Sequence, residues 1–285
     1  MQVFIAGCHT DVGKTHVSAA ICALFGYDYF KLVQAGSPQD RDFVFDIVSN
    51  CSDFGVKKLL DSKDLVNLDS KILQDSKDSK ILHNIESNLD SKNPNFNKTK
   101  IQNLDSKNSN ISNLNDKKIH INSNFKPKKL QNIESNIFPN GITLKTAASP
   151  HIAKMRENIE YNGLKLKIPE SKNLVIELAG GLFSPLDSKK CMIDFISQNR
   201  CDVILVGGYY LGSINHILLS YESLKVRKIK ILKIVMFGDK NKEIDNFIES
   251  YSNIETLNLA YFTKQNFKEK TQDFKKQLNN IFCYN

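Results

Sequence analysis

The residues whose types and spacing suit chemistry stand at the very start of the chain, in Gly7-Cys8-His9-Thr10-Asp11-Val12-Gly13-Lys14-Thr15. Glycine followed at once by lysine and threonine is a phosphate-binding arrangement when a strand precedes it and a helix follows. Glycines let the backbone curl so that successive N–H groups point inward, and the helix N-terminus adds partial positive charge. Lys14 then reaches the terminal phosphates of a nucleotide, and the Thr15 hydroxyl offers a hard oxygen to Mg²⁺. The first glycine lies six residues before Gly13, one more than the common spacing.

Such a loop needs a strand and a helix to hold it, and both are legible. Val3-Phe4-Ile5-Ala6 reads as a buried strand and Val17 to Phe25 as a buried helix. Tyr29 to Gly36 reads as a short strand ending in a glycine turn, and Arg41 to Asn50 as a helix with Asp42 near its start. Ser149 is placed to cap a further helix with Pro150 at its first position. Strands at 173–181, 202–207, 229–237 and 257–262 then alternate with helices at 192–198, 214–225, 242–251 and 267–281. This alternation predicts an α/β fold, a mostly parallel P-loop-type sheet with helices on both faces. Ligands bind such sheets outside the carboxyl ends of the strands. The glycine loop, Lys31, Glu177 and the turn after Val206 all fall at that edge.

Residues 56–135 differ in character: Asn, Ser, Asp and Lys dominate, and the tripeptide Asp-Ser-Lys recurs without a fixed period. So few apolar groups do not offset the entropy of ordering, which predicts a disordered or loosely structured insertion. One domain made of 1–55 and 136–285 carries it. The chain's net charge is +8, and 15 lysines against 10 acidic residues place +5 of it in the insertion. The remaining +3 gives the folded part no basic patch suited to nucleic acid or an acidic membrane. Six cysteines without paired spacing fit reduced thiols, and no apolar run is long enough to span a bilayer. A strand so close to Met1 leaves no room for a signal peptide, and a cytoplasmic protein is expected.

Five segments, taken in order, give the chain a wider resemblance. Gly7 to Thr15 keeps the longer loop spacing; Lys31-Leu32-Val33-Gln34-Ala35-Gly36 follows; then come Ala148-Ser149-Pro150-His151, Ile176-Glu177-Leu178-Ala179-Gly180-Gly181 and Leu211-Gly212-Ser213-Ile214-Asn215-His216. In this order and spacing the chain resembles the dethiobiotin synthetases, and the resemblance covers nearly all of it outside the insertion.

The resemblance implies closure of a ureido ring on 7,8-diaminopelargonate with CO₂, ATP and Mg²⁺ by a homodimer. Lys14 and Lys31 are implied as the catalytic cations. ATP is implied against Asp11, Val12, Gly13, Lys14, Thr15 and His16, against Asp42, against the turn Glu177, Leu178, Ala179 and Gly180, and on its base side against Gly238 and Asp239. The diamine is implied against Thr10, Lys31 and Ala35, with Gly212, Ser213, Ile214 and Asn215 supplied by the second subunit. Thr15, Asp42 and Glu177 are the implied ligands of Mg²⁺, with nearby Asp40 a rival to Asp42. Several positions depart from the family pattern. His9 replaces an Asp, Asp11 a Glu, Ala35 a hydroxyl residue and Leu178 a glycine. Phe237-Gly238-Asp239 stands where an Asn reads adenine, and Tyr261-Phe262-Thr263 lacks a proline. The phosphate chemistry is therefore expected to be retained and the base pocket rebuilt. Rival readings are a non-catalytic paralogue and a partitioning-type ATPase switch, although the switch has a second lysine where Cys8 stands.

Overall fold

The computed structural model describes residues 1–59 and 134–282. The strand and helix expected around the loop are β1 (Gln2–Gly7) and α1 (Lys14–Phe25). Then follow β2 (Asp28–Lys31), β3 (Val33–Ala35), α2 (Asp40–Cys51), β4 (Gly55–Lys58), β5 (Glu134–Ile137), β6 (Ile142–Leu144) and α3 (Pro150–Arg156). The chain closes with β7 (Leu174–Gly181), α4 (Met192–Asn199), β8 (Asp202–Gly208), α5 (Ser213–Val226), β9 (Ile231–Phe237), α6 (Lys242–Ser252), β10 (Thr256–Leu259) and α7 (Phe267–Phe282).

Eight strands form one sheet in the order β10-β9-β8-β1-β7-β2-β5-β4, and all their pairings are parallel. The order follows from the sequence. β1, β7 and β8 are nearly continuous apolar runs, which only the doubly covered centre of a parallel sheet accommodates. Strand alternation divides their side chains between two cores. Val3, Ile5, Val175, Ile204 and Val206 pack under α1, α2 and α7, whereas Phe4, Ala6, Ile176, Val203 and Leu205 pack under α4, α5 and α6. Glu177 shares the parity of Val175, so its carboxylate emerges on the α1 side. The rest of the site depends on this placement.

Three expectations need correction. The strand read from Tyr29 to Gly36 is two strands, because β3 leaves the large sheet to pair with β6 in a second, two-stranded one. Leu32, at the break, donates its N–H to the Glu177 carbonyl and accepts from Ile142. Second, the boundary expected at 55/56 and 135/136 cuts through β4 and β5, which pair from Gly55↔Glu134 to Lys58↔Ile137 at the sheet edge. An edge strand needs few apolar residues, so Val56-Lys57-Lys58 carried no strand signal. The remainder of the expected insertion lies outside the described residues. Third, α3 starts at Pro150 as expected, but the Ser149 hydroxyl lies 3.0 Å from His151 Nδ1 and makes no capping bond. Among the described residues the cysteines are free thiols, and no helix is long and apolar enough to cross a membrane.

Candidate active site

β1 delivers the chain to Gly7, and α1 carries it away from Lys14. Between them Asp11 (φ 58°) and Gly13 (φ 88°) take left-handed backbone, which curls the loop. A Cβ at Gly13 would stand 2.2 Å from Phe237 Cγ, so only glycine fits beneath that ring. A Cβ at Gly7 would lie 2.7 Å from the His9 carbonyl oxygen and 2.9 Å from Lys14 Nζ. Glycine there lets Lys14 fold back over the loop, where Nζ donates to the His9 carbonyl at 3.1 Å. Lys14 is only 7% exposed. Burial, helped by the nearby charge of Lys31, lowers its pKa to about 8 against the opposing pull of Glu177 and Asp40. A cation held this uncomfortably gains from an arriving phosphate.

Beside the loop lies a buried charge cluster centred on Glu177, which is wholly inaccessible to solvent. Thr15 Oγ1 donates to its Oε1 at 2.9 Å, Lys31 Nζ to the same oxygen at 2.6 Å, and the Tyr29 hydroxyl to Oε2 at 3.0 Å. Lys31 Nζ is also 2.6 Å from Asp40 Oδ2. The register Lys31↔Glu177 between β2 and β7 sets the pair side by side, and period-two alternation brings Tyr29 to the same face. Burial pushes the Glu177 carboxyl up, but the charge and hydrogen bond of Lys31, with Lys14 and Thr15, outweigh it and hold it below its ordinary value. Burial likewise pulls Lys31 down, and Glu177 and Asp40 more than reverse this. Both groups are charged because each supplies the other's missing solvation.

These groups line one cleft of about 1100 Å³. Its floor holds Lys14, Thr15, Lys31, Asp40 and Glu177; one end is bounded by Val33, Gln34, Ala35, Ala147 to Pro150, Gly180 and Ser184, and the other by His16, Phe43 and Phe237. Thr15, Glu177 and Asp40 together offer hard oxygens near the phosphate loop. Among the described residues no group of three or more His, Cys, Asp or Glu side chains is placed to hold a metal ion by itself. Two carboxylates and a hydroxyl suit a Mg²⁺ ion, which takes one or two carboxylates and completes its shell with water and phosphate oxygens.

The expected site residues divide into three groups. Thr10, Asp11, Gly13, Lys14, Thr15, His16, Lys31, Ala35, Asp42, Glu177, Ala179 and Gly180 line the cleft together. Val12 and Leu178 do not line it: their side chains are buried in the two cores. Gly238 and Asp239 follow Phe237, and it is the Phe237 ring that reaches the cleft. Gly212, Ser213, Ile214 and Asn215 start α5 beside the loop, where His216 stacks on His9 at 5.6 Å, but they do not line the chain's own cleft. Asp42 sits at the margin with its carboxylate on Lys58 Nζ at 2.7 Å, whereas Asp40 reaches Lys31. Tyr29 and Phe43 were given no site role from the sequence, and Phe237 only a place in an altered base-side segment. Tyr29 carried a signal, since it lies two residues before Lys31 on a strand.

The AAA domain family model matches residues 1–53 and 117–259. The ATP-dependent dethiobiotin synthetase BioD of Campylobacter jejuni subsp. jejuni is 37% identical over 281 residues, covering 99% of this chain and 97% of that protein. The protein of the same name from Christiangramia forsetii is 29% identical over 283 residues, covering 98% of each. Among solved structures a ParA family ATPase from Chlorobium tepidum TLS covers 98% of this chain, and this chain covers 92% of that one, at 10% identity and a TM-score of 0.40, too loose a likeness to argue from. With the loop, the charge cluster and a full-length relative at this identity in agreement, the chain belongs to the dethiobiotin synthetase family.

Proposed function

We propose that this chain is an ATP-dependent dethiobiotin synthetase, forming the ureido ring from 7,8-diaminopelargonate and CO₂. The observation that carries the reading is Lys31, held 2.6 Å from both Glu177 and Asp40 on the floor of the cleft that the phosphate loop enters. In the reaction one amine takes up CO₂ as a carbamate, and a carbamate oxygen attacks the γ-phosphorus, expelling ADP. The second amine then attacks the carbamoyl carbon, and phosphate leaves as the ring closes. Each step moves negative charge along the floor between Lys14 and Lys31. Cations fixed where charge develops stabilise the transition state without reorganisation.

Lys14, in this reading, leaves the His9 carbonyl for the β- and γ-phosphates, and Lys31 faces the γ-phosphate and carbamate. Thr15, Glu177 and Asp40 would hold Mg²⁺, which neutralises phosphate charge when bound. Asp40 is preferred to Asp42 because it already touches Lys31. The diamine would occupy the end lined by Val33 to Ala35 and Ala147 to Pro150. The start of α5, from Gly212 to Asn215, lies outside the chain's own cleft, so we assign it to the substrate carboxylate of a partner in a twofold homodimer.

Reconstitution tests the reading. Dethiobiotin and phosphate should form one for one when diamine, bicarbonate, Mg²⁺ and ATP are all present, and neither should form when one is omitted. Rapid phosphate release without the diamine would overturn it.

A further inference from the structure

We propose that the nucleoside end of the cleft holds a base by stacking on an aromatic wall rather than by reading its hydrogen-bonding edge. The phosphoryl donor is then any purine or pyrimidine nucleoside triphosphate. This deepens the nucleotide-binding reading above and rests on it.

The wall is built around His16, one residue beyond Thr15. Its ring centroid lies 4.7 Å from that of Phe43, 4.8 Å from Phe237, 5.2 Å from Tyr261 and 5.1 Å from Phe262. His16, Phe43 and Phe237 line the cleft; Tyr261 beside them is 60% exposed, and Phe262 backs them from the core. The wall begins where the phosphate site ends, because Phe237 lies directly on Gly13 of the loop. A triphosphate seated on the loop therefore directs its nucleoside along these rings.

Two neighbouring polar side chains are already committed. The Asn258 amide donates to the Gly238 and Met236 carbonyls at 2.9 and 3.2 Å. The Tyr209 hydroxyl donates to both oxygens of Asp245 at 2.9 and 3.2 Å. Gly238 has no side chain, and the Nε2 of His16 is enclosed, with no hydrogen-bond partner among the described residues. Every base has a π-face, and stacking on aromatic side chains tolerates base identity. Discrimination by hydrogen bonds requires partners left unpaired by the wrong base, and Asn258 and Tyr209 are not free to serve as such partners.

Calorimetry with Mg²⁺ and no diamine tests the proposal. ATP, GTP, CTP and UTP should bind within about tenfold of one another, as sequence-tolerant stacking requires. Inorganic tripolyphosphate should bind at least about tenfold more weakly, for want of a base to stack. Tyr261→Ala should weaken all four nucleotides by a similar factor and leave tripolyphosphate unchanged, and Tyr261→Phe should restore the wild-type values. A preference above about a hundredfold for one base would overturn this inference while leaving the ligase reading intact, as would tripolyphosphate binding as tightly as the nucleotides. If none of the five ligands binds, both readings fail. Because no turnover is needed, failure to make dethiobiotin does not affect the result.

Discussion

At one end of the cleft Lys14, Lys31, Asp40 and Glu177 crowd four ionisable groups onto the floor; at the other, His16, Phe43 and Phe237 crowd rings, with Tyr261 against His16. The two ends obey different rules. A charge removed from water must have its partner at hydrogen-bonding distance, so each member of the floor fixes the identity and position of the next. Rings ask only for area and shape, and one can replace another if the volume is kept. The charged floor should therefore tolerate little exchange of residue type, while the base side should tolerate more. Glu177 and Phe237 exemplify the contrast: the first touches Thr15, Tyr29 and Lys31 through single atoms, the second packs its ring against Gly13 and His16.

Breaking the charged end should have the largest consequences. Glu177→Ala leaves Lys31 without its buried partner, and loss of one member of such a pair costs about 3–5 kcal/mol. Thermal unfolding should show a large fall in Tm, with turnover abolished. Lys31→Gln should next lower kcat by about 10²–10³-fold, as loss of a donor to developing charge does. The affinity for nucleotide should change far less. Equal losses in both would place Lys31 in ground-state binding.

Two neighbouring carboxylates sharpen the comparison further. Asp40→Asn should lower turnover by about tenfold or more, since it faces Lys31 inside the cleft. Asp42→Asn should cost little, because its partner Lys58 is a surface lysine and such pairs contribute about 0–1 kcal/mol. Reversal of that order would restore Asp42 as the metal ligand.

Acidity gives a smaller, graded effect. The Lys14 pKa of about 8 lies below its ordinary 10.5. Between these values the unfolded chain keeps a proton that the folded chain has released, so this group's contribution to stability rises with pH across that window. Bound phosphate reverses the shift. Nucleotide affinity should therefore fall as pH rises above about 8, with proton uptake on binding visible by calorimetry in buffers of different ionisation enthalpy.

The smallest effect is expected from replacing residues 60–133 with a short Gly/Ser linker. That change spares β4 and β5, and lengthening or shortening a loop twofold alters closure by only about 0.6 kcal/mol. Fold and kcat should be kept. Deleting 56–135 instead would remove most of β4 and the start of β5 from the sheet edge, and solubility should suffer.

The same contrast explains what could be read from the sequence. The parallel α/β sheet was legible because β1, β7, β8 and β9 are apolar runs of strand length separated by helical periodicities. The edge pair β4 and β5 was not, since Val56-Lys57-Lys58 and Glu134-Ser135-Asn136 bury little. Lys14, Thr15, Lys31 and Glu177 were legible as members of ordered motifs. The choice between Asp40 and Asp42 was not, because two residues at a helix start differ by the direction of a side chain, which spacing does not specify. That the aromatic side chains form one wall was not legible, for a third reason. His16, Phe43, Phe237 and Tyr261 are far apart in the chain and meet only after the sheet has placed α1, α2, β9 and the turn after β10 together.

The central claim is that a carbamate oxygen attacks the γ-phosphorus on the floor between Lys14 and Lys31. Supplying the enzyme with ¹⁸O-labelled CO₂, diamine, Mg²⁺ and unlabelled ATP, and weighing the phosphate released, tests it most directly. Attack by the carbamate and later expulsion of phosphate predict one CO₂-derived oxygen in each phosphate and one retained in the ureido carbonyl. Phosphate carrying one solvent oxygen and none from CO₂ would mean that water, and not the carbamate, is the nucleophile, and would contradict the account.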